Sequence, residues 1–82
     1  METEIENYLR SMLNPLIAYP EKLEVFVHTS GESYIFLEFS VGKEDIGKII
    51  GKEGLTIKAI RKLIDCFSAS KKIKIVSIFK TS

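Results

Sequence analysis

Apolar side chains near the start of the chain recur at the spacing of one helical face: Ile5, Tyr8, Leu9, Met12, Leu13, Leu16 and Ile17. Thr3 and Glu6 stand three apart ahead of this run, the spacing of a capping box. Pro15 is expected to interrupt the helix, with Asn14-Pro15 opening a further short turn, and Pro20 closes the region. The period then changes from helical to alternating. Leu23, Val25 and Val27 alternate with Glu24, Phe26 and His28, which predicts a strand, and Thr29 to Ser33, containing Gly31, predicts a turn. Tyr34 to Val41 is almost wholly apolar, with Glu38 as its one charge, a composition suited to a central strand.

Gly42 ends that strand. Glu44 and Asp45 fall where the first turn of a helix favours acids, and Ile46, Ile49 and Ile50 supply its apolar side. Gly51 is placed to terminate it. A second helix is expected from about Gly54-Leu55, with Ile57, Ile60, Leu63, Ile64 and Phe67 facing the core and Lys58, Arg61, Lys62 and Asp65 facing water. Ser68 to Lys72 read as a connection and Ile73 to Phe79 as a last strand. The order is helix, strand, strand, helix, helix, strand. A helical crossover lets the last two strands lie parallel, while the first two form a hairpin. The fold class is therefore α+β: a three-stranded mixed sheet with three helices on one face. Phe26 and Phe36, with Val76 or Ile78, fall on the opposite face as a candidate interface patch.

Length and composition narrow the classes. Eighty-two residues suffice for one domain, spanning 1–82, with a core at 34–79 and an N-terminal helix and edge strand at 1–33. Cys66 is the single cysteine and His28 the single histidine, so no internal disulfide and no Cys/His zinc site can form. No apolar run approaches the roughly 18 residues of a membrane span. The acidic start, Met-Glu-Thr-Glu-Ile-Glu, is unlike a secretory signal, and a reducing cytoplasm is expected. The net charge of +1 hides an asymmetry. Residues 1–41 carry 2 basic and 7 acidic side chains, which is −5, and residues 42–82 carry 10 and 4, which is +6. Such polarity between halves fits a polyanion-binding face.

Ile49-Ile50-Gly51-Lys52-Glu53-Gly54-Leu55-Thr56-Ile57 is the informative stretch. Two helices are joined by a tetrapeptide with glycine at both ends, which lets backbone approach a ligand. The second helix directs free N–H groups and its positive end toward the loop. Lys52 adds a cation there, and Lys48 lies one turn earlier. The arrangement suits phosphates.

Ile-Ile-Gly-x-x-Gly-x-x-Ile between two helices, flanked by strands, resembles the KH domain. Helix and strand ahead of the GxxG core resemble its type II, bacterial form. Val41 to Gly54, followed by Lys58-Ala59-Ile60-Arg61, is similar to the small stand-alone bacterial KH proteins of the KhpA family. The resemblance implies a loop that clamps the backbone of about four single-stranded nucleotides. It implies RNA contacts at Gly51, Lys52, Glu53 and Gly54, with Lys48, Lys58 and Arg61 reinforcing the field. Ile50 and Ile57, with Ile46 and Ile49, would floor the groove for the bases. It also implies a cytoplasmic RNA chaperone or post-transcriptional regulator without cofactor or metal, partnered by a second copy or by a larger KH protein of the Jag/KhpB type, with no membrane association. Two departures matter: Glu53 puts a negative charge in the loop, and Leu55-Thr56 replaces a stretch often more basic in that family. Modest affinity is the expectation.

Other readings are weaker. Gly47-Lys48-Ile49-Ile50-Gly51-Lys52 echoes a nucleotide-phosphate loop, but it is one residue short, has Glu53 where a magnesium-binding hydroxyl belongs, and follows a helix. Adjacent Glu44 and Asp45 diverge by about 100° on a helix and make no catalytic pair. No nucleophile–base pair or metal cluster supports an enzyme. A protein-interaction or dimerisation module within a larger RNA or cell-envelope regulatory complex is the second hypothesis. Gly47 is expected to serve close helix packing, and Cys66 to be a small core or interface residue.

Overall fold

The computed structural model describes residues 2–81. Helix α1 (Glu2–Leu13) is followed by single tight helical turns at Asn14–Leu16 and Pro20–Lys22. A hairpin of β1 (Glu24–Ser30) and β2 (Tyr34–Ser40) leads through a tight turn at Lys43–Asp45 into α2 (Ile46–Ile50). After another turn at Lys52–Gly54 come α3 (Leu55–Lys71) and β3 (Lys74–Phe79). The sheet order is β1-β2-β3, antiparallel between β1 and β2 and parallel between β2 and β3. This is the expected α+β, three-stranded mixed sheet, with the apolar strand in the centre.

The core lies between one sheet face and the helices. Ile5, Leu9 and Leu13 recur every four residues on α1, and each is fully buried. Alternation on β2 sends Ile35, Leu37 and Phe39 to the same core, where Ile49 of α2 and Ile60 and Ile64 of α3 meet them. Full burial of such a side chain stabilises the fold by about 1.5–3 kcal/mol. The other sheet face is not covered: Phe26 is 58% exposed and Ile78 40%. As the alternation predicts, Phe26, Phe36, Val76 and Ile78 share it.

Several local expectations are corrected. The α1 helix already includes Glu2, so Thr3 lies inside it, and Glu6 turns to Arg10 at 2.9 Å instead of closing a capping box. Strand β1 runs on to Ser30, so the turn is confined to Gly31–Ser33. Helix α3 continues through Ser68-Ala69-Ser70 to Lys71. Its end is closed by Lys72 in the left-handed region (φ 57°), whose N–H, with that of Ile73, returns to the Ala69 and Ser68 carbonyls at 3.3 and 3.1 Å. The Ser68 hydroxyl also donates to the Ile73 carbonyl, so this polar run caps a helix that it was expected to leave. Leu63, expected in the core, is 44% exposed, and Cys66 is exposed rather than packed. Among the described residues no helix is long and apolar enough to cross a membrane.

Candidate nucleic-acid interface

The stretch Gly51-Lys52-Glu53-Gly54 stands at the surface between α2 and α3, with Lys52 and Glu53 exposed. Three of its residues have positive φ: Gly51 at 73°, Glu53 at 56° and Gly54 at 75°. Gly51 combines that φ with an extended ψ of 173°, which turns the chain sharply out of α2. A Cβ on Gly51 would lie 2.7 Å from Thr56 Cβ and 2.9 Å from the Thr56 backbone nitrogen. Glycine is therefore required there twice, by conformation and by room. At Gly54 only the conformation asks for it, since the nearest atom to an added Cβ would be Lys58 Cε at 4.0 Å. That contact also places the Lys58 stem beside the loop.

Not every loop amide is available. The Gly51 N–H donates to the Gly47 carbonyl at 2.9 Å, Gly54 to Gly51 at 3.1 Å, and Leu55 to Lys52. The N–H groups of Lys52 and Glu53 take no carbonyl in the loop, so these two remain for a ligand. The loop itself thus leaves a pair of its amides unclaimed, backed by the N-terminus of α3.

The cations are arranged unequally. Lys52, Lys58 and Arg61 are exposed and have no carboxylate partner among the described residues. Lys48 is exposed too, but its ammonium lies 3.4 Å from Asp45. Of the proposed apolar floor, Ile49 is fully buried and belongs to the core, Ile50 is 37% exposed, and Ile46 and Ile57 are half-buried. Gly47 lies open, with nothing within 4 Å of an added Cβ, so helix packing does not account for it. At about 100° per residue, Ile57, Lys58 and Arg61 fall on one flank of α3 and Leu55, Ala59 and Leu63 on the other. The second flank, with Met12, Pro15 and Leu16 from the end of α1 and its following turn, walls an apolar groove of about 550 Å³.

Asp45 was read as a helix-start charge and turns out to have a different task. It is the one buried charged side chain among the described residues. It makes no cap on its own helix. Its two carboxylate oxygens accept the N–H groups of Ala18 and Tyr19, each at 2.9 Å. This ties the segment before β1 to the foot of α2, and Lys22 reaching Glu44 at 3.4 Å supports the same contact from outside. The Ala18 N–H, then that of Tyr19 and the Lys48 ammonium, hold the Asp45 carboxyl below its ordinary value, against the opposing effect of burial. A lowered native value stabilises the fold above the unfolded carboxyl's pKa. The contribution is complete at neutral pH and is lost as pH falls below about 4 through the native value. Asp45→Asn, which keeps size but can accept only through one oxygen, is expected to lower the melting temperature by roughly 10 °C at pH 7. The gap to the parent should shrink at pH 3, as thermal melts across pH would reveal.

A family model for the KhpA/KhpB KH domain matches residues 6–78. The chain belongs to the KhpA/KhpB KH-domain family. Similar curated relatives bear the name RNA-binding protein KhpA. The one from Chlamydia caviae is 38% identical over 71 residues, covering 87% of this chain and 90% of the relative. That from Streptococcus pneumoniae is 35% identical over 75 residues, covering 88% and 91%. That from Clostridium acetobutylicum is 33% identical over 72 residues, covering 88% and 95%. No solved structure matches the chain significantly.

Proposed function

We propose that the protein binds single-stranded RNA without catalysis, acting over residues 1–82 as one type II KH unit in the cytoplasm. The observation that carries this reading is the solvent-open turn at Gly51–Gly54, with two uncommitted amides and the unpaired cations Lys52, Lys58 and Arg61 around it. Phosphates lie on the Lys52 and Glu53 amides, and the lysines and Arg61 supply the field. Bases lie against Ile50, Ile57 and Ile46, beside the bare surface of Gly47. Lys48, held by Asp45, contributes less than its sequence position suggests. Phosphate contacts position a strand and carry little sequence information, so specificity is broad, as suits an RNA chaperone or post-transcriptional regulator. The names of the relatives point the same way.

A salt series with a fluorescent single-stranded oligonucleotide tests this. The logarithm of the binding constant should fall linearly with the logarithm of salt, with a slope of about −1.5 to −3 for two to four phosphate contacts. A duplex of equal length should bind more weakly. A flat salt response, or preference for the duplex, refutes the site.

A second reading, a protein-interaction module, is favoured by the groove between α1 and α3. Its rim exposes Leu16, Leu55 and Leu63 at 40%, 60% and 44%. Because Leu55, Ala59 and Leu63 lie on the α3 flank away from Arg61, a protein seated there leaves the loop open. A larger KH protein of the Jag/KhpB type is the partner this reading names.

A further inference from the structure

The sheet face turned away from the helices carries charges beside its apolar side chains, and they gather at one end. Register puts Glu24 opposite Ser40 and Phe26 opposite Glu38. Lys80, just past β3, joins this end of the ladder through its N–H, which donates to the Phe39 carbonyl at 2.8 Å. Glu24, Phe26, Glu38, Ser40 and Lys80 line a cavity of about 190 Å³. Small-molecule sites run to roughly 300–1,000 Å³, so this one suits a single side chain. Its aromatic wall is open, with Phe26 58% exposed. His28 stacks on that ring from two residues along β1, with 9° between planes and 6.4 Å between centroids. His28 does not line the cavity, which therefore meets the other side of the ring.

The two carboxylates are poorly served by their surroundings. Glu24 has no ion pair among the described residues. Glu38 is half-buried, and the Lys80 ammonium stands 3.7 Å away, beyond hydrogen-bond range. Two carboxylates against one ammonium leave the cavity at −1. A phosphate strand is repelled there and a cation is drawn. The bare ring selects among cations. A guanidinium is flat, stacks on an aromatic face and offers a fork of donors to carboxylates, whereas an ammonium is a strongly hydrated point charge.

We propose that this cavity receives one arginine side chain, carried by an extended basic segment of a different protein. The guanidinium lies on Phe26 and donates to Glu38 and Glu24, while Lys80 turns to solvent. The cavity opens at β1, an edge strand with no lysine or proline to guard it, whereas the other edge has Lys74 at its start and Lys80 just past its end. A strand added beside β1 sets its side chains about 5 Å from those of β1 on the same face, which brings an arginine within reach of Phe26 and Glu38. The two arginines of this chain, Arg10 and Arg61, both sit on helices, so a further copy does not supply the extended segment. The RNA loop lies between α2 and α3, which cover the opposite sheet face, so RNA and the arginine segment bind together.

Nuclear magnetic resonance titration of the RNA-free, nitrogen-15-labelled protein decides the matter. The probe is a heptapeptide in which arginine alternates with threonine and valine. Twin peptides carry lysine, or citrulline, which keeps the shape of arginine and lacks its charge. The arginine peptide should shift amides within 24–28, 36–40 and at 80, and leave Gly51 to Gly54 unmoved, with a Kd of roughly 0.1–1 mM. The lysine twin should bind about fivefold more weakly and the citrulline twin about tenfold. Phe26→Leu and Glu38→Gln should each weaken the arginine peptide about fivefold. Lys80→Gln should instead tighten it about threefold, a gain that no damage to the fold produces. Unmoved amides at about 5 mM peptide overturn the proposal. So do equal affinities for arginine and lysine, or affinity indifferent to Phe26→Leu and Glu38→Gln. A single-stranded RNA oligonucleotide that shifts these residues more strongly than the peptide also overturns it, and makes the cavity a nucleobase site.

Discussion

Lys52→Asp combined with Glu53→Asp is expected to lower the affinity for single-stranded RNA about a hundredfold while leaving the fold intact. Only the first substitution changes charge, by two units, directly beside the two free amides. A unit charge about 5 Å from a phosphate, at an effective dielectric between that of a protein surface and bulk water, is worth about 1–2 kcal/mol. Two units give about 3 kcal/mol, or two decades in Kd. Both side chains are exposed, and neither makes a hydrogen bond or ion pair among the described residues, so no native contact is lost. Glu53 sits at φ 56°, and aspartate tolerates that region better than glutamate. The melting temperature should stay within a few degrees. Fluorescence anisotropy measures the first quantity and a thermal melt the second. An affinity within threefold of the parent means that the strand does not cross this loop.

The two loop glycines should respond very differently to alanine. At Gly51 the added methyl meets the Thr56 Cβ and backbone nitrogen inside contact distance, and the Thr56 hydroxyl closer still. The backbone nitrogen cannot turn aside as a side chain would. Strain at φ 73° adds to overpacking, and the sum is about 2–5 kcal/mol. That is a large share of the 5–15 kcal/mol typical of a small domain. At Gly54 the surroundings are open, and the left-handed conformation alone costs about 1 kcal/mol. Urea unfolding of Gly51→Ala and Gly54→Ala should therefore separate them by at least about 1 kcal/mol. Equal losses would mean that the loop relaxes around Gly51, and that crowding at Thr56 is not what reserves the position for glycine.

The same two glycines mark what was readable in advance. Strand alternation, the apolar central strand and the glycine-bracketed turn are all local patterns, and they located the sheet, its order and the loop. What escaped reading depends on partners distant in sequence or on capping without the usual residue. Asp45 looked like a helix-start acid because its real partners, Ala18 and Tyr19, lie 27 and 26 residues away. Lys48 looked like a free cation because Asp45, three residues before it, was not known to be buried and turned toward it. The end of α3 was placed early because Ser68-Ala69-Ser70 resembles a loop. Its true stop is Lys72, a non-glycine residue in a conformation glycine usually fills. Leu63 fits the core period of α3, yet that face is wider than the surface α1 covers. The periodicity gives a direction and cannot say how far the neighbouring helix reaches.

The anchoring of Ala18 and Tyr19 by a carboxylate gives the segment ahead of the hairpin a duty of its own. A version of the protein cut back to its second half would retain every lysine and glycine of the loop and still strand a negative charge in an apolar setting. The short helix that launches the loop would lose its footing. Shortened chains should therefore fail as RNA binders for a reason that no inspection of the loop itself would reveal.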